Sequence, residues 1–215
     1  MLSVACINAE LLQLDLAGER VDMLGDLNHA LDRATELARR TLRLAYAEPV
    51  APTAVNVGEL ADTLGLVAAR LLGPDIAYTL LADGDAWIVA DASQIERVLL
   101  NLLVNSRDAT RRGGRVAVTV SQRRLVAPKQ YAHDIVPVGR WVCLQVADTG
   151  HGISPQLLPR MFEERVTTNG DDAHGCGLAS VLGIVRTWRG HVLVESTAHV
   201  GASVTCYFPA MPVAE

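Results

Sequence analysis

The sequence lacks several features that would place a protein in a class at once. No apolar run approaches the roughly 20 residues of a membrane-spanning helix, and the N-terminus lacks the basic region of a signal peptide. The cysteines, Cys6, Cys143, Cys176 and Cys206, are too far apart for a zinc site or a redox motif. These absences predict a cytoplasmic chain with no membrane contact of its own, whether or not a longer parent protein is membrane-attached.

An excess of positive charge is also missing. The 215 residues hold 19 Lys and Arg against 24 Asp and Glu, a formal net charge of -5. Proteins that coat nucleic acids need clustered basic side chains, so we expect no nucleic-acid partner. The length is ample for a core that needs no disulfide or metal. The 17 glycines are informative where they cluster.

The first fifty residues have the apolar spacing of a helical hairpin. Residues 2–16 and 24–45 repeat apolar or small side chains every three or four positions, and Gly18 separates the two runs. The second stripe favours pairing with another chain in a four-helix bundle; folding against the rest of this chain is the alternative. Pro49 and Pro52 end the hairpin. The predicted domains are therefore residues 1–50 and 53–212.

The second domain alternates between helical and strand patterns. We predict helices over 55–72, 94–110 and 178–188, strands over 76–81, 87–90, 115–123, 141–147, 191–196 and 203–208, and a loop over 129–139. Asp91 or Ser93 can cap the second helix. The expected fold class is α+β, a two-layer α/β sandwich with helices on one face of a mixed sheet.

Three clusters carry polar or glycine-rich chemistry. Asn101 and Asn105 share one helix face, and such carboxamides suit a hard cation or a polyphosphate, or else bond to nearby loops. Asp148 follows a buried strand and begins the run Asp-Thr-Gly-His-Gly-Ile153. Its carboxylate can accept a hydrogen bond from the exocyclic amine of a base, although an Asp-capped tight turn is the alternative.

The third cluster is Gly175-Cys176-Gly177-Leu178, which begins a helix. Free backbone amides and the helix dipole at such a position attract an anion. Upstream, residues 163–173 are polar and aperiodic. This composition is typical of a mobile lid over a ligand, or of an ordinary surface loop.

In this order, and with Met161-Phe162-Glu163 between them, the clusters resemble the N, G1, F and G2 boxes of bacterial sensor histidine kinases. These kinases share an ATP-binding superfamily with DNA gyrase, and the resemblance covers nearly the whole chain. It implies the Bergerat ATP-binding fold preceded by an antiparallel dimerisation hairpin. It also implies transfer of the ATP γ-phosphoryl group to a histidine and then to an aspartate of a response-regulator receiver domain.

The resemblance also implies a role for individual residues. Asn105 would ligate Mg²⁺ with Asn101 close by, and Asp148 would accept the adenine amino group, with Gly150 and Gly152 giving the base room. The remaining residues implied to bind ATP are Asp108, Ile153, Phe162, Thr167, Thr168, His174, Gly175, Cys176, Gly177 and Leu178.

The sequence departs from the family in its acceptor and its lid. The hairpin holds only His29, off the seam and without an adjoining carboxylate, so we expect the acceptor to precede Met1 and the chain alone not to autophosphorylate. In the lid, Asn169 replaces the family's Lys. Hydrolytic relatives have a Glu as base for water where this chain has Asn101, which favours phosphoryl transfer. The alternative function is a non-catalytic module that docks a response regulator or a partner kinase.

Overall fold

The computed structural model describes residues 51–130, 134–158, 161–162 and 177–212. The chain divides after Val50 into two units, and the described residues all belong to the second, Ala51–Glu215. The hairpin predicted over residues 1–50 lies outside the described residues. In the described part of the chain, no helix is long and apolar enough to cross a lipid bilayer.

The described elements comprise nine strands and four helices. In chain order they are β1 Thr53–Asn56, α1 Val57–Thr63, α2 Gly65–Leu72, β2 Ala77–Ala82, β3 Trp87–Ala90, α3 Ala92–Ala109, β4 Arg115–Leu125, β5 Lys129–Gln130, β6 Ile135–Val136, β7 Gly139–Asp148, α4 Gly177–Thr187, β8 His191–Thr197 and β9 Gly201–Pro209.

The main sheet has five strands in the order β2-β4-β7-β9-β8. Only the β2–β4 pair is parallel, and the other neighbours are antiparallel. All four helices contact this sheet, and alternate strand residues such as Val116, Val118 and Leu144 are buried in one core with α3 and α4. The predicted α+β sandwich is confirmed.

The helix predicted over 55–72 is wrong at its start and in its continuity. Residues 53–56 form β1, which pairs with β3, and the helical stretch breaks at Leu64 into α1 and α2. The buried Asn56 explains the start, because its Oδ1 accepts hydrogen bonds from the amides of Gly58 and Glu59. This is an N-cap, and the cap residue itself stays in extended backbone. Asp91 caps α3 in the same way, as predicted.

The segment predicted as a loop over 129–139 contains the short hairpin β5–β6. It lies against the sheet residues Trp141, Cys143, Leu193 and Tyr207, which form a second, smaller apolar cluster with Val136. Trp141 Nε1 donates to the carbonyl of Pro137 at 3.0 Å, and Asp134 pairs with His191 at 3.1 Å. Burial raises the pKa of the Cys143 thiol to about 11.

Candidate functional site

The carboxylate of Asp148, at the end of β7, is held by hydrogen bonds from three directions. Its Oδ1 accepts hydrogen bonds from the backbone N–H of Gly150 at 2.9 Å and of Ala202 at 3.3 Å. Its Oδ2 accepts from the Ser106 hydroxyl at 3.3 Å. The side chain is half-buried. A carboxylate with three fixed donors keeps one orientation, and the remaining lone-pair positions can accept from a ligand.

Ser106 belongs to this site and was missed by the sequence analysis. It is only 6% exposed and lies on the buried side of α3, one turn after Leu102 and Leu103. A serine within an apolar helical stripe is the signal that could have revealed it, because a buried hydroxyl needs a hydrogen-bond partner. Its partner is the Asp148 carboxylate, so Ser106 links α3 to the end of β7.

Asn105 lies directly against the start of α4. A Cβ added at Gly177 would come within 2.9 Å of Asn105 Oδ1 and 3.1 Å of Nδ2. The Nδ2 atom is buried and has no hydrogen-bond partner in the described part of the chain. Buried amide groups are nearly always satisfied, so this Nδ2 donor needs an acceptor that the described residues do not supply. Asn101 lies one turn earlier on the same helix.

Glycines give this loop its close backbone contacts. A Cβ at Gly150 would be 2.5 Å from the carbonyl oxygen of Ala109, the last residue of α3. Gly152 has a φ of +66°, a left-handed conformation that favours glycine, and a Cβ there would overlap the Thr197 carbonyl. Both glycines therefore permit close packing against protein backbone, and their role in giving a base room stays a prediction.

The structure places the other predicted site residues in different settings. Asp108 is exposed and pairs with Arg107 at 2.8 Å. Ile153, Phe162 and Leu178 are partly buried and pack against the main core. Five predicted residues, Thr167, Thr168, His174, Gly175 and Cys176, lie outside the described residues. Of the predicted set, the structure therefore brings together Asp148 with Gly150, and Asn105 with Gly177.

Replacing Ser106 is expected to weaken ligand binding through Asp148 without unfolding the protein. Ser106→Ala removes one hydrogen bond from the carboxylate, which is worth about 1 kcal/mol, and nucleotide affinity should fall roughly 3- to 10-fold. Ser121→Ala is the control, because the one hydrogen bond of that hydroxyl among the described residues is to the exposed Arg123 side chain. Calorimetric titration with a non-hydrolysable ATP analogue checks both variants. Equal affinities for the two would show that Ser106 does not position Asp148.

Comparison with known proteins identifies the family. The model of the histidine kinase-, DNA gyrase B- and HSP90-like ATPases matches residues 90–212. The sensor kinase CckA of Brucella abortus (strain 2308) is 29% identical over 180 residues, 83% of this chain and 19% of that protein. The sensor protein FixL of Bradyrhizobium diazoefficiens is 30% identical over 207 residues, 91% of this chain and 38% of that protein. The chain thus spans less than half the length of these relatives.

Solved structures agree on the fold. The mycobacterial sensor histidine kinase MprB aligns over 75% of this chain and 100% of its own, with a TM-score of 0.60 and 23% identity. Full-length ShkA in complex with AMPPNP aligns over 99% of this chain and 44% of its own, with a TM-score of 0.62 and 25% identity. With the sandwich fold and the family match over more than half of its length, the chain belongs to the histidine kinase-, DNA gyrase B- and HSP90-like ATPase family, among the sensor histidine kinases.

Proposed function

We propose that this chain binds ATP with Mg²⁺ and is the catalytic region of a two-component sensor histidine kinase. It transfers the γ-phosphoryl group to a histidine, and the group then passes to an aspartate of a response-regulator receiver domain. The observation that carries this proposal is the Asp148 carboxylate, oriented by Gly150, Ala202 and Ser106. The names of CckA and FixL as sensor kinases support the activity, and the AMPPNP complex of ShkA supports the nucleotide.

Adenine recognition is assigned to Asp148. Its Oδ1 already accepts two backbone amides, whereas Oδ2 accepts only the Ser106 hydroxyl among the described residues. Oδ2 therefore has a lone pair for the exocyclic amine of adenine, in a hydrogen bond strengthened by the negative charge. A base that presents a carbonyl at this position would face the carboxylate without a donor.

The residues present also fit a magnesium ion. Mg²⁺ keeps several waters and takes only one or two protein ligands beside the substrate phosphates. The Asn105 carboxamide can offer its Oδ1 to such an ion, whereas its buried Nδ2, which has no partner in the described part of the chain, is a donor that suits a phosphate oxygen. The described residues hold no group of three His, Cys, Asp or Glu that could bind a metal alone, so most ligands would come from ATP and water. When bound, Mg²⁺ neutralises phosphate charge.

The triphosphate is assigned to the start of α4. Gly177 is the first residue of this helix, and helix N-terminal amides and the dipole attract phosphate. Gly175, Cys176, Leu178 and His174 are proposed to continue this phosphate site. Phe162 is proposed to anchor a lid that contributes Thr167 and Thr168, and Asn101, Asp108 and Ile153 complete the proposed ATP-binding set.

The proposed partners follow from the first fifty residues and the relatives. The unbroken apolar seam over 24–45 supports homodimerisation through the hairpin. The sensor kinases among the relatives support a response-regulator receiver as the second partner. A non-catalytic docking module, the alternative function, predicts no nucleotide binding at all.

Magnesium dependence tests the assignment of Asn105. The unmodified chain is expected to bind a non-hydrolysable ATP analogue at least about tenfold more tightly with Mg²⁺ than with EDTA, since the ion bridges phosphates and protein. In Asn105→Ala this difference should disappear, while the affinity in EDTA stays within about twofold. Calorimetry in the two buffers measures both affinities. A magnesium effect that survives in the variant would remove Asn105 from the metal site.

Transfer is tested with an acceptor supplied in trans. We expect γ-labelled ATP to phosphorylate a separately expressed sensor-kinase hairpin that carries its acceptor histidine, and not the chain itself. The product should be acid-labile, as expected for a phosphorus–nitrogen bond. The heterologous kinase's own catalytic domain serves as the positive control. Phosphate found on His29 by mass spectrometry would contradict the prediction that this chain lacks its acceptor.

A further inference from the structure

A cleft of about 300 Å³ lies beyond the end of α3, and its lining is basic. Arg111 and Arg112 line it from the α3–β4 loop, His151 from the loop after β7, and His199 from the β8–β9 turn. The described residues that line it include no carboxylate, although Arg112 pairs with the Asp75 carboxylate. Among the described lining residues, Gly150 alone also belongs to the proposed ATP-binding set, so the cleft is a second site beside the first.

The three loops around the cleft are bonded to one another. The Arg115 amide donates to the Thr149 hydroxyl at 2.9 Å, and the Thr149 amide donates to the Arg115 carbonyl at 3.0 Å. The His199 amide donates to the His151 carbonyl at 2.7 Å. A Cβ on Gly114 would be only 3.1 Å from Thr149 Oγ1, so glycine permits this close approach. These bonds hold the loops close together before a ligand arrives, which lowers the entropy cost of binding, and a ligand that bridges the loops would restrict them further.

The groups available in the cleft are mostly donors. Arg111 is exposed, and its guanidinium has no partner among the described residues. Arg112 makes only an exposed ion pair with Asp75, at 3.2 Å. The carbonyl of Ala109 at the end of α3 already accepts the His151 amide at 3.1 Å, which reduces the repulsion that a helix C-terminus gives an anion. The backbone amides of Gly113, Gly114, Thr149, Gly150, His151 and His199 already donate within the protein. A ligand in this cleft therefore meets mainly the guanidinium groups of the two arginines.

We propose that this cleft binds a small polyvalent oxyanion, such as a phosphate ester or a polycarboxylate, and that its occupant supports the nucleotide-binding loop. Arg111 and Arg112 bind the anion on one side, and the Thr149 hydroxyl donates to it on the other. The anion thus ties the α3–β4 loop to the loop whose Gly150 amide orients Asp148. Ordering that loop in advance favours a second ligand at Asp148. Only this last step rests on the proposed function.

Inorganic phosphate and citrate, without Mg²⁺, are the probes for the anion. In amide NMR spectra of the full chain we expect saturable shifts at Gly113, Thr149, Gly150 and His151. Arg111→Gln combined with Arg112→Gln should lower the affinity for both anions at least about tenfold, because each arginine would make charge-assisted hydrogen bonds to the anion. Arg186→Gln with Arg189→Gln is the control pair, because it removes the same charge elsewhere. Arg111→Gln alone breaks no ion pair of the described chain. It should also lower anion affinity, and this loss could not be attributed to a broken Arg112–Asp75 pair.

Adenosine tests the coupling, because it has no phosphates that inorganic phosphate would replace. Phosphate should tighten adenosine binding about two- to threefold in the unmodified chain and in the control pair, but not in the double arginine variant. The anion site would be overturned if phosphate and citrate caused no amide shifts, or if they caused the same shifts in the double arginine variant. Anion binding with no effect on adenosine affinity would overturn the coupling alone. Anion binding in a chain that binds no adenosine would support this site while contradicting the proposed function.

Discussion

Asp148→Asn is expected to lower nucleotide affinity by about 100-fold or more, the largest binding effect of any single substitution at this site. The asparagine oxygen would take the place of Oδ1, which accepts from the Gly150 and Ala202 amides. Its NH₂ group would then face the adenine amine, so two donors would meet where the carboxylate accepts. The loss of a charge-assisted hydrogen bond and the unpaired donors together account for this magnitude.

Calorimetric titration with a non-hydrolysable ATP analogue measures this loss. Asp85→Asn is the matched control, because it makes the same change at an exposed position. Thermal unfolding of both variants separates lost binding from lost folding, and we expect the two midpoints to lie within a few degrees of each other. An Asp148→Asn chain that binds the analogue as tightly as the control would show that the base lies elsewhere.

Gly150→Ala is expected to lower the free energy of unfolding by about 2–4 kcal/mol. The new Cβ would lie 2.5 Å from the Ala109 carbonyl oxygen and 2.7 Å from its carbon, and backbone atoms cannot rotate away. Either the loop after β7 or the end of α3 must shift, which is an overpacking cost of this order. The shift would also move the amide that holds Asp148, so nucleotide binding should fall together with stability.

Gly183→Ala is the control for this substitution. Gly183 lies within α4, and a Cβ there meets nothing within 4 Å. Because alanine is the better helix former, this change should leave stability unaltered or raise it by about 1 kcal/mol. Urea denaturation monitored by circular dichroism measures both variants. If Gly150→Ala is as stable as Gly183→Ala, the close contact between the loop and α3 is not present in solution.

The sequence patterns predict most of the main sheet and α3, because long periodic segments dominate their own local structure. The start of the domain was mispredicted because Val55 and Asn56 fit a helical repeat, yet Asn56 caps α1 from the end of a strand. The hairpin β5–β6 was missed for a different reason. Each of its strands has two residues, and both contact the sheet behind them: Val136 of β6 packs with Trp141 and Tyr207, and Lys129 of β5 donates to the Tyr207 hydroxyl.

The candidate site combines residues that are adjacent in the chain with contacts between distant segments, and the sequence predicts only the first kind. Asp148, Gly150 and Gly152 are adjacent in the chain, and this run is visible from composition and order alone. The Ala202 amide reaches Asp148 only because β7 and β9 pair with these two residues opposite each other. Ser106 reaches it because α3 crosses the end of β7. Neither contact can be read from spacing along one segment, since each depends on tertiary packing.

A comparison of ATP with ITP shows whether Asp148 selects adenine through its amino group. ITP has a carbonyl oxygen where ATP has the amine and is otherwise nearly the same size. With Mg²⁺, calorimetry should show one ATP bound per chain and ITP weaker by at least about 100-fold, because a buried acceptor would lose its donor. Equal affinities for ATP and ITP would show that Asp148 does not recognise the amino group. Binding of neither nucleotide would contradict the proposal that this chain binds ATP.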